Sequence, residues 1–171
     1  HLTMVQLFGS TTPKSRRFSM IFEKEGTPLS LREFEQLTGA QWIPVLDFDD
    51  FHLFSSIAKK GRKFHQKGKM TPEQLWLGRY YQKEMVSCYE PDVAIRWIDP
   101  FLRWGVFATR DFKKMEFIAE YTGKVRKRKP IDEKNAYCFE YILVQGARSS
   151  YTIDALDQGG VARYINHSDQ P

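Results

Sequence analysis

Apolar positions in this chain change their spacing near residue 90. Between residues 30 and 86 they recur at intervals of three and four, the period of a helix face. From residue 93 onward they fall in short β-branched and aromatic runs separated by turn residues, the pattern of strands. Ser30 and Glu33 form a capping box ahead of Leu31, Phe34 and Leu37, and Gly39 supplies the stop. Asp50 caps a second helix with Phe51, Phe54, Ile57 and Ala58 on one face, ended by Gly61 after two lysines. Thr71-Pro72-Glu73-Gln74 opens a third, which carries Leu75, Trp76, Tyr80 and Tyr81 and runs to Val86. Ahead of these, residues 5–8 and 17–23 read as a hairpin joined by a turn-forming segment.

The strands expected in the second part are 93–98, 105–109, 117–121, 137–144 and 151–154. No β-α-β alternation is present, which excludes a doubly wound parallel sheet. The fold class is therefore α+β. A mainly helical accessory domain over 1–92 precedes a β-rich domain over 93–171, with Glu90-Pro91-Asp92 as the breaker between them.

Composition narrows the picture in a few places. A hydrophobic content of 42% argues for a packed core and against a disordered chain. No apolar run approaches the roughly 20 residues that span a bilayer, so the expectation is a soluble, intracellular protein without a membrane partner. His1 to Thr3 read as a leftover ahead of a natural start at Met4. The two cysteines, Cys88 and Cys138, have no Cys neighbour at ligand spacing, so neither a zinc cluster nor any other metal site is expected. A reducing compartment suits them. The net charge of +5 is spread along the chain and identifies no partner.

Two basic runs stand out, 59–69 and 124–130. Each reads either as a solvated face or as a nucleic-acid contact, the second also as a nuclear-targeting patch.

Four short motifs remain. Arg163-Tyr164-Ile165-Asn166-His167-Ser168 is, on elementary grounds, a strand or helical turn surfacing into a capped polar loop. Trp104-Gly105 reads as a turn entering a strand, Tyr121 as a strand-end tyrosine, and Tyr137-Cys138-Phe139 as a half-buried strand. Taken together and in this order, they resemble the SET-domain protein lysine methyltransferases. R-Y-I-N-H-S followed by Pro171 is similar to that family's R-F-I-N-H-S-C-x-P-N, and Asp154-Ala155 matches its upstream Asp-Ala pair. Trp104-Gly105-Val106-Phe107 resembles its G-x-G-W-G-V-F, with Phe101 and Arg103 where the other glycines stand. Glu120-Tyr121-Thr122-Gly123 resembles E-Y-x-G.

The resemblance implies several small sheets around a knotted core, and transfer of a methyl group from S-adenosylmethionine to a protein lysine, in a basic histone-like tail. It implies catalytic roles for Tyr121 and Tyr137. Leu102, Arg103, Trp104, Tyr137, Arg163, Asn166 and His167 would bind the cofactor, Arg163 through its carboxylate. The family continues past the proline to a G-E-E-L-x-x-D-Y segment with a second active-site tyrosine, and a chain lacking it is expected to be weakly active or inactive. Asp169 replaces a cysteine, in keeping with a zinc-free, bacterial-type relative. Such a protein acts in the nucleus, or in a bacterial cytoplasm or host nucleus. A non-catalytic degenerate SET fold, holding a peptide or nucleic acid, is the alternative.

Overall fold

The computed structural model describes residues 20–143 and 149–167. The strand expected at 5–8, the start of the one at 17–23, the end of the one at 137–144 and residues 168–171 lie outside it.

Strand β1 (Ile21–Lys24) turns back into β2 (Thr27–Leu29). Glu25 and Gly26, both at positive φ, make the two-residue turn, a geometry whose twist matches that of the strands. Among the described residues, the partner that β1 meets across a turn is thus β2, which follows it. Helix α1 (Leu31–Thr38) has the expected capping box between Ser30 and Glu33 and ends on Gly39 at φ 69°.

After the two-residue strands β3 (Gln41–Trp42) and β4 (Asp47–Phe48), Asp50 caps α2 (Phe51–Gln66). The helix does not stop at Gly61. Its end is a Schellman motif at Gly68 (φ 63°), where Gly68 N–H bonds His65 O and Lys69 N–H bonds Phe64 O. Residues on either side of Gly61 favour helix strongly enough to carry it through one glycine. Most of the run 59–69 is therefore helical rather than loop. Thr71 and Gln74 cap each other reciprocally at the start of α3 (Pro72–Tyr80), but the helix breaks at Tyr81, and α4 (Gln82–Val86) follows. The Tyr81 hydroxyl is drawn off to donate to Met115 O at 2.6 Å.

Strands β5 (Val93–Asp99) and β6 (Arg103–Ala108) pair antiparallel. Residues 117–121, expected as a strand, join no sheet. The strand lies just beyond, in β7 (Lys124–Lys127). Val125 is fully buried there, and the charges around it are matched by carboxylates, which lets a basic segment run through a sheet. β8 (Cys138–Glu140), β9 (Tyr151–Asp154) and β10 (Gln158–Gly159) complete the set.

The strands form three small sheets, ordered β2-β1-β5-β6, β10-β3 and β4-β7-β9-β8. Each contains at least one strand from before residue 92 and one from after it. β1 pairs parallel with β5, β3 with β10 and β4 with β7. The main core crosses the same line. Phe34 is fully buried between Phe22, stacked at 4.1 Å, and Trp104 and Tyr164 at 5.0 and 5.1 Å. Burying one such ring stabilises the fold by about 2–3 kcal/mol. A boundary at 92 would cut through the sheets and this aromatic core, so the fold does not part there. The helical stretch of the first part is instead an excursion, 51–86, between β4 and β5. A second core gathers Leu46, Ile57, Val125, Tyr141 and Tyr151 where α2 packs on the third sheet.

Candidate active site

The β5–β6 hairpin carries the first set of candidate residues. Asp99 accepts from the N–H groups of Phe101 and Leu102, at 2.7 and 2.6 Å, and so pins the turn. Asp99 is not among the motif residues, and its signal in the sequence is the turn-opening pair Asp99-Pro100. Leu102 is exposed, and Arg103 follows at φ 62°, the left-handed region that glycine enters without cost. Arg103 thus occupies a glycine's conformation at the position where the resembled family has glycine. Trp104 is buried and packs edge-on against Phe34 and Trp97.

Asn166 comes to the same hairpin. Asn166 donates through Nδ2 to Trp104 O at 3.4 Å. Gly105 makes the approach feasible: a Cβ there would lie 2.6 Å from Ile98 and 3.2 Å from Asn166. Asn166 and the adjoining His167 are both exposed.

A second group forms around Tyr137. Its carbonyl accepts from the Tyr121 hydroxyl at 2.9 Å and from Ala155 N–H at 3.0 Å, and the Arg163 guanidinium lies over its ring at 4.3 Å. Burial pushes the Tyr121 phenol up to about 12, so it stays protonated near neutrality. Arg163 donates to the carbonyls of Ala155 and Leu156, at 2.6 and 2.9 Å. It therefore stitches the Asp154-Ala155 pair to the helical turn Val161–Tyr164. Gly123 has no room for a side chain, since a Cβ would meet Asp154 O at 2.6 Å.

That helical turn joins the two groups, with Tyr164 in the aromatic core beside Trp104 and Arg163 facing Tyr137. Four motifs spread over 60 residues thus meet across one turn. The structure places Leu102, Arg103, Trp104 and Asn166 at the hairpin, with His167 next in the chain, and Tyr121, Tyr137 and Arg163 at the Asp154 side.

Asp154 also belongs to a charge cluster absent from the sequence expectations. Arg126 holds Asp132 at 2.7 Å and Asp154 at 2.8 Å. Burial disfavours the charge on Asp154, but the guanidinium outweighs it and keeps the carboxyl below its ordinary range. The same hydrogen bonding lowers Asp132. Arg126 is thereby occupied within the fold, and Lys124 pairs with Asp49. The run 124–130 is not the open basic loop expected of a targeting patch.

Behind Thr122 lies a small cavity of about 40 Å³ edged by Glu84, Glu90 and Glu120. Burial raises the Glu120 carboxyl to about 6. Among the described residues, no group of three or more His, Cys, Asp or Glu is placed to hold a metal ion, and no helix is long and apolar enough to cross a membrane.

Residues 103–171 match the SET domain family. Among curated proteins, the Drosophila melanogaster histone-lysine N-methyltransferase Su(var)3-9 is 34% identical over 76 residues, covering 40% of this chain and 12% of that protein. The Arabidopsis thaliana histone-lysine N-methyltransferase ASHH1 is 38% identical over 74 residues, or 40% of this chain and 15% of that protein. The chain thus spans less than a sixth of the length of these relatives. Among solved structures, the ATXR5 SET domain in complex with histone H3 superposes with a TM-score of 0.53 at 20% identity, covering 82% of this chain and 67% of that one. That likeness shows the fold.

Proposed function

We propose, from the match of residues 103–171 to the SET domain family, that the chain transfers a methyl group from S-adenosylmethionine to a lysine side chain of a protein, in a basic histone-like tail. The observation that carries the reading is the meeting of Asn166 with the Trp104-Gly105 backbone, across one helical turn from Tyr121 and Tyr137. The site fits the cofactor in one testable respect. Arg103 keeps the left-handed backbone that the family's glycine provides, so the path along which Leu102, Arg103 and Trp104 would lie against the cofactor is retained. Asn166 and His167 would hold its polar groups. When bound, it supplies an electrophilic methyl group on a sulfonium.

The reaction asks little covalent work of the protein. The lysine must arrive neutral, having lost its proton to water, and must be aligned with the methyl carbon. Alignment of this kind is worth a large part of the barrier. Tyr121, kept protonated by burial, can orient the amine but cannot act as its base. Tyr137 and Arg163 hold the surrounding backbone. Curated relatives are histone-lysine methyltransferases, and the solved neighbour binds histone H3, which supports the substrate class.

A second reading, a SET fold that holds a peptide without turnover, draws on one observation. The polar groups of Tyr121 and Arg163 are already bonded to backbone carbonyls.

Calorimetric titration with S-adenosylhomocysteine tests the site. The parent chain should bind, and an Asn166→Ala/His167→Ala variant should bind at least tenfold more weakly, about 1.4 kcal/mol. Transfer of labelled methyl groups to histone tail peptides then separates the two readings. Absence of binding, both in this chain and in a form continuing through the family's C-terminal tyrosine segment, would remove the enzyme reading.

A further inference from the structure

The two basic runs lie far apart in sequence, yet the fold sets them on either side of one cleft. Helix α2 packs across the third sheet through Ile57 and Leu53, beside β7 and the segment that follows it. Between them is an open cleft of about 820 Å³ lined by Lys60, Lys127, Arg128 and Lys129. Arg128 is paired there with Glu133 at 3.9 Å and Glu140 at 4.0 Å, which leaves the three lysines as the positive charge. Ser56, Ser149 and Ser150 add hydroxyl donors along its walls.

The positive surface continues beyond the cleft. Ser56, Lys60, Lys63 and Lys67 fall on one stripe of α2 at helical spacing, and all four are exposed. From Lys60 to Lys67 the stripe extends roughly 10 Å at the rise of an α-helix. Lys127 and Lys129 are exposed on the opposite wall. Asp49 and Asp50 edge an adjoining cleft that Lys127 and Lys129 also line, and Asp49 pairs with Lys124 at 2.9 Å, so the positive stretch ends there.

We propose that this cleft and the adjoining stripe of α2 form a docking surface for the phosphate backbone of double-stranded DNA. Charge complementarity carries the assignment: lysines on two walls, with serine hydroxyls between, suit a row of phosphates. The lining separates duplex from single strand. The one aromatic side chain among the described lining residues, Tyr151, is 5% exposed and lies beneath Lys60, whose Nζ is 2.9 Å from its hydroxyl. Among the described residues no ring is left in the cleft on which an unpaired base could stack, the feature that single-strand binders rely on. The choice of DNA as the duplex rests on the histone-like substrate proposed above, since such a substrate is held on DNA. The arrangement also reconciles a basic protein with a basic substrate. The positive face is turned to nucleic acid, while Glu84, Glu90 and Glu120 gather at a separate cavity.

The test is fluorescence anisotropy of the 171-residue chain with a labelled DNA duplex of about 20 base pairs, titrated across salt concentrations. The variant replaces Lys63, Lys67, Lys127 and Lys129 with Gln, and a control replaces Lys113 and Lys114, which lie outside the cleft. Thermal melting checks that all three proteins fold alike. The parent should bind with affinity that falls steeply with salt. The cleft variant should lose at least tenfold at about 0.1 M salt, with a log–log slope shallower by roughly 3, while the control stays unchanged. No salt-dependent binding, equal weakening by the control, or tighter binding of single-stranded DNA or duplex RNA would overturn the proposal. None of these readouts uses methyl transfer, so this surface can fail while the proposed activity stands, and the reverse.

Discussion

Arg103 shows how much one residue's backbone can say. A non-glycine side chain in the left-handed region costs about 1–2 kcal/mol, and the neighbouring turn is held by Asp99 regardless of what stands at 103. Arg103→Gly should relieve that strain, less the extra freedom glycine gives the unfolded chain, for a net gain of about 0.5–1 kcal/mol. Arg103→Ala should gain nothing. Calorimetric melting of the three proteins decides it, and a Gly variant that melts below the Ala variant would contradict the strain argument. Glu120 makes a second statement at this scale. Its folded pKa of about 6 lies above the ordinary carboxylate value because burial disfavours the charge. Between pH 4.5 and 6 the folded state therefore holds more protons than the unfolded one, and stability falls as pH rises through that window. The loss is about 2 kcal/mol. Glu120→Gln should remove it, so that urea midpoints of variant and parent diverge between pH 4.5 and 6.5. Parallel pH dependences would mean that Glu120 is not buried as described. Asp132 and Asp154, held below their ordinary range, act in the opposite sense and at lower pH.

Among the elements, α2 differs most from its sequence reading. A glycine after two lysines has the composition of a helix end, and Gly61 occupies that place. What ends the helix is Gly68, seven residues on, whose left-handed backbone closes a Schellman motif. Local composition offered two stops, and the packing of Ile57 and Leu53 on the third sheet helped to keep the helix running past the first. A Cβ on Gly61 would meet nothing within 4 Å. Gly61→Ala should therefore stabilise the protein by about 1 kcal/mol, raising its melting temperature by roughly 3 °C. A destabilised variant would show that the helix bends or packs closely at that point. Strand β7 was missed for a related reason. Lys124, Arg126 and Lys127 conceal a strand from any reading of hydrophobic alternation, and only the arrival of Asp49, Asp132 and Asp154 from elsewhere neutralises most of that charge. The expected strand at 117–121 has the better composition, and no ladder partner among the described residues takes it up.

At the scale of the whole molecule, the first 30 described residues are not an appendage. β1, β3 and β4 lie in three different sheets, each beside a strand from beyond residue 92, and Phe22 and Phe34 fill the core around Trp104 and Tyr164. A fragment of residues 93–171 should consequently fail to fold. It would expose the face of Trp104 and Tyr164 and lose β1 as the parallel partner of β5. Circular dichroism and amide dispersion would report this, and a fragment with native-like dispersion would restore a boundary at 92. The helical excursion over 51–86 is different in kind, since it leaves from β4 and returns at β5.

The motifs that mark the site were legible in the sequence because each depends on residue identities at short spacing. Asn166 next to His167, Gly after Trp104 and Gly123 two after Tyr121 are local features that a close backbone approach demands. The same holds for the caps on α1, α2 and α3, where a side chain meets a backbone group three residues away. What the sequence could not contain was any relation between distant segments. The parallel pairings of β1 with β5 and β4 with β7 leave no turn signal, because the chain between them is long. The ion cluster on Arg126, the carboxylates around the cavity behind Thr122 and the two-walled basic cleft are likewise products of packing. Short-range hydrogen bonding and steric need are written residue by residue, whereas burial and charge balance are settled only when segments far apart in the chain come to lie against each other.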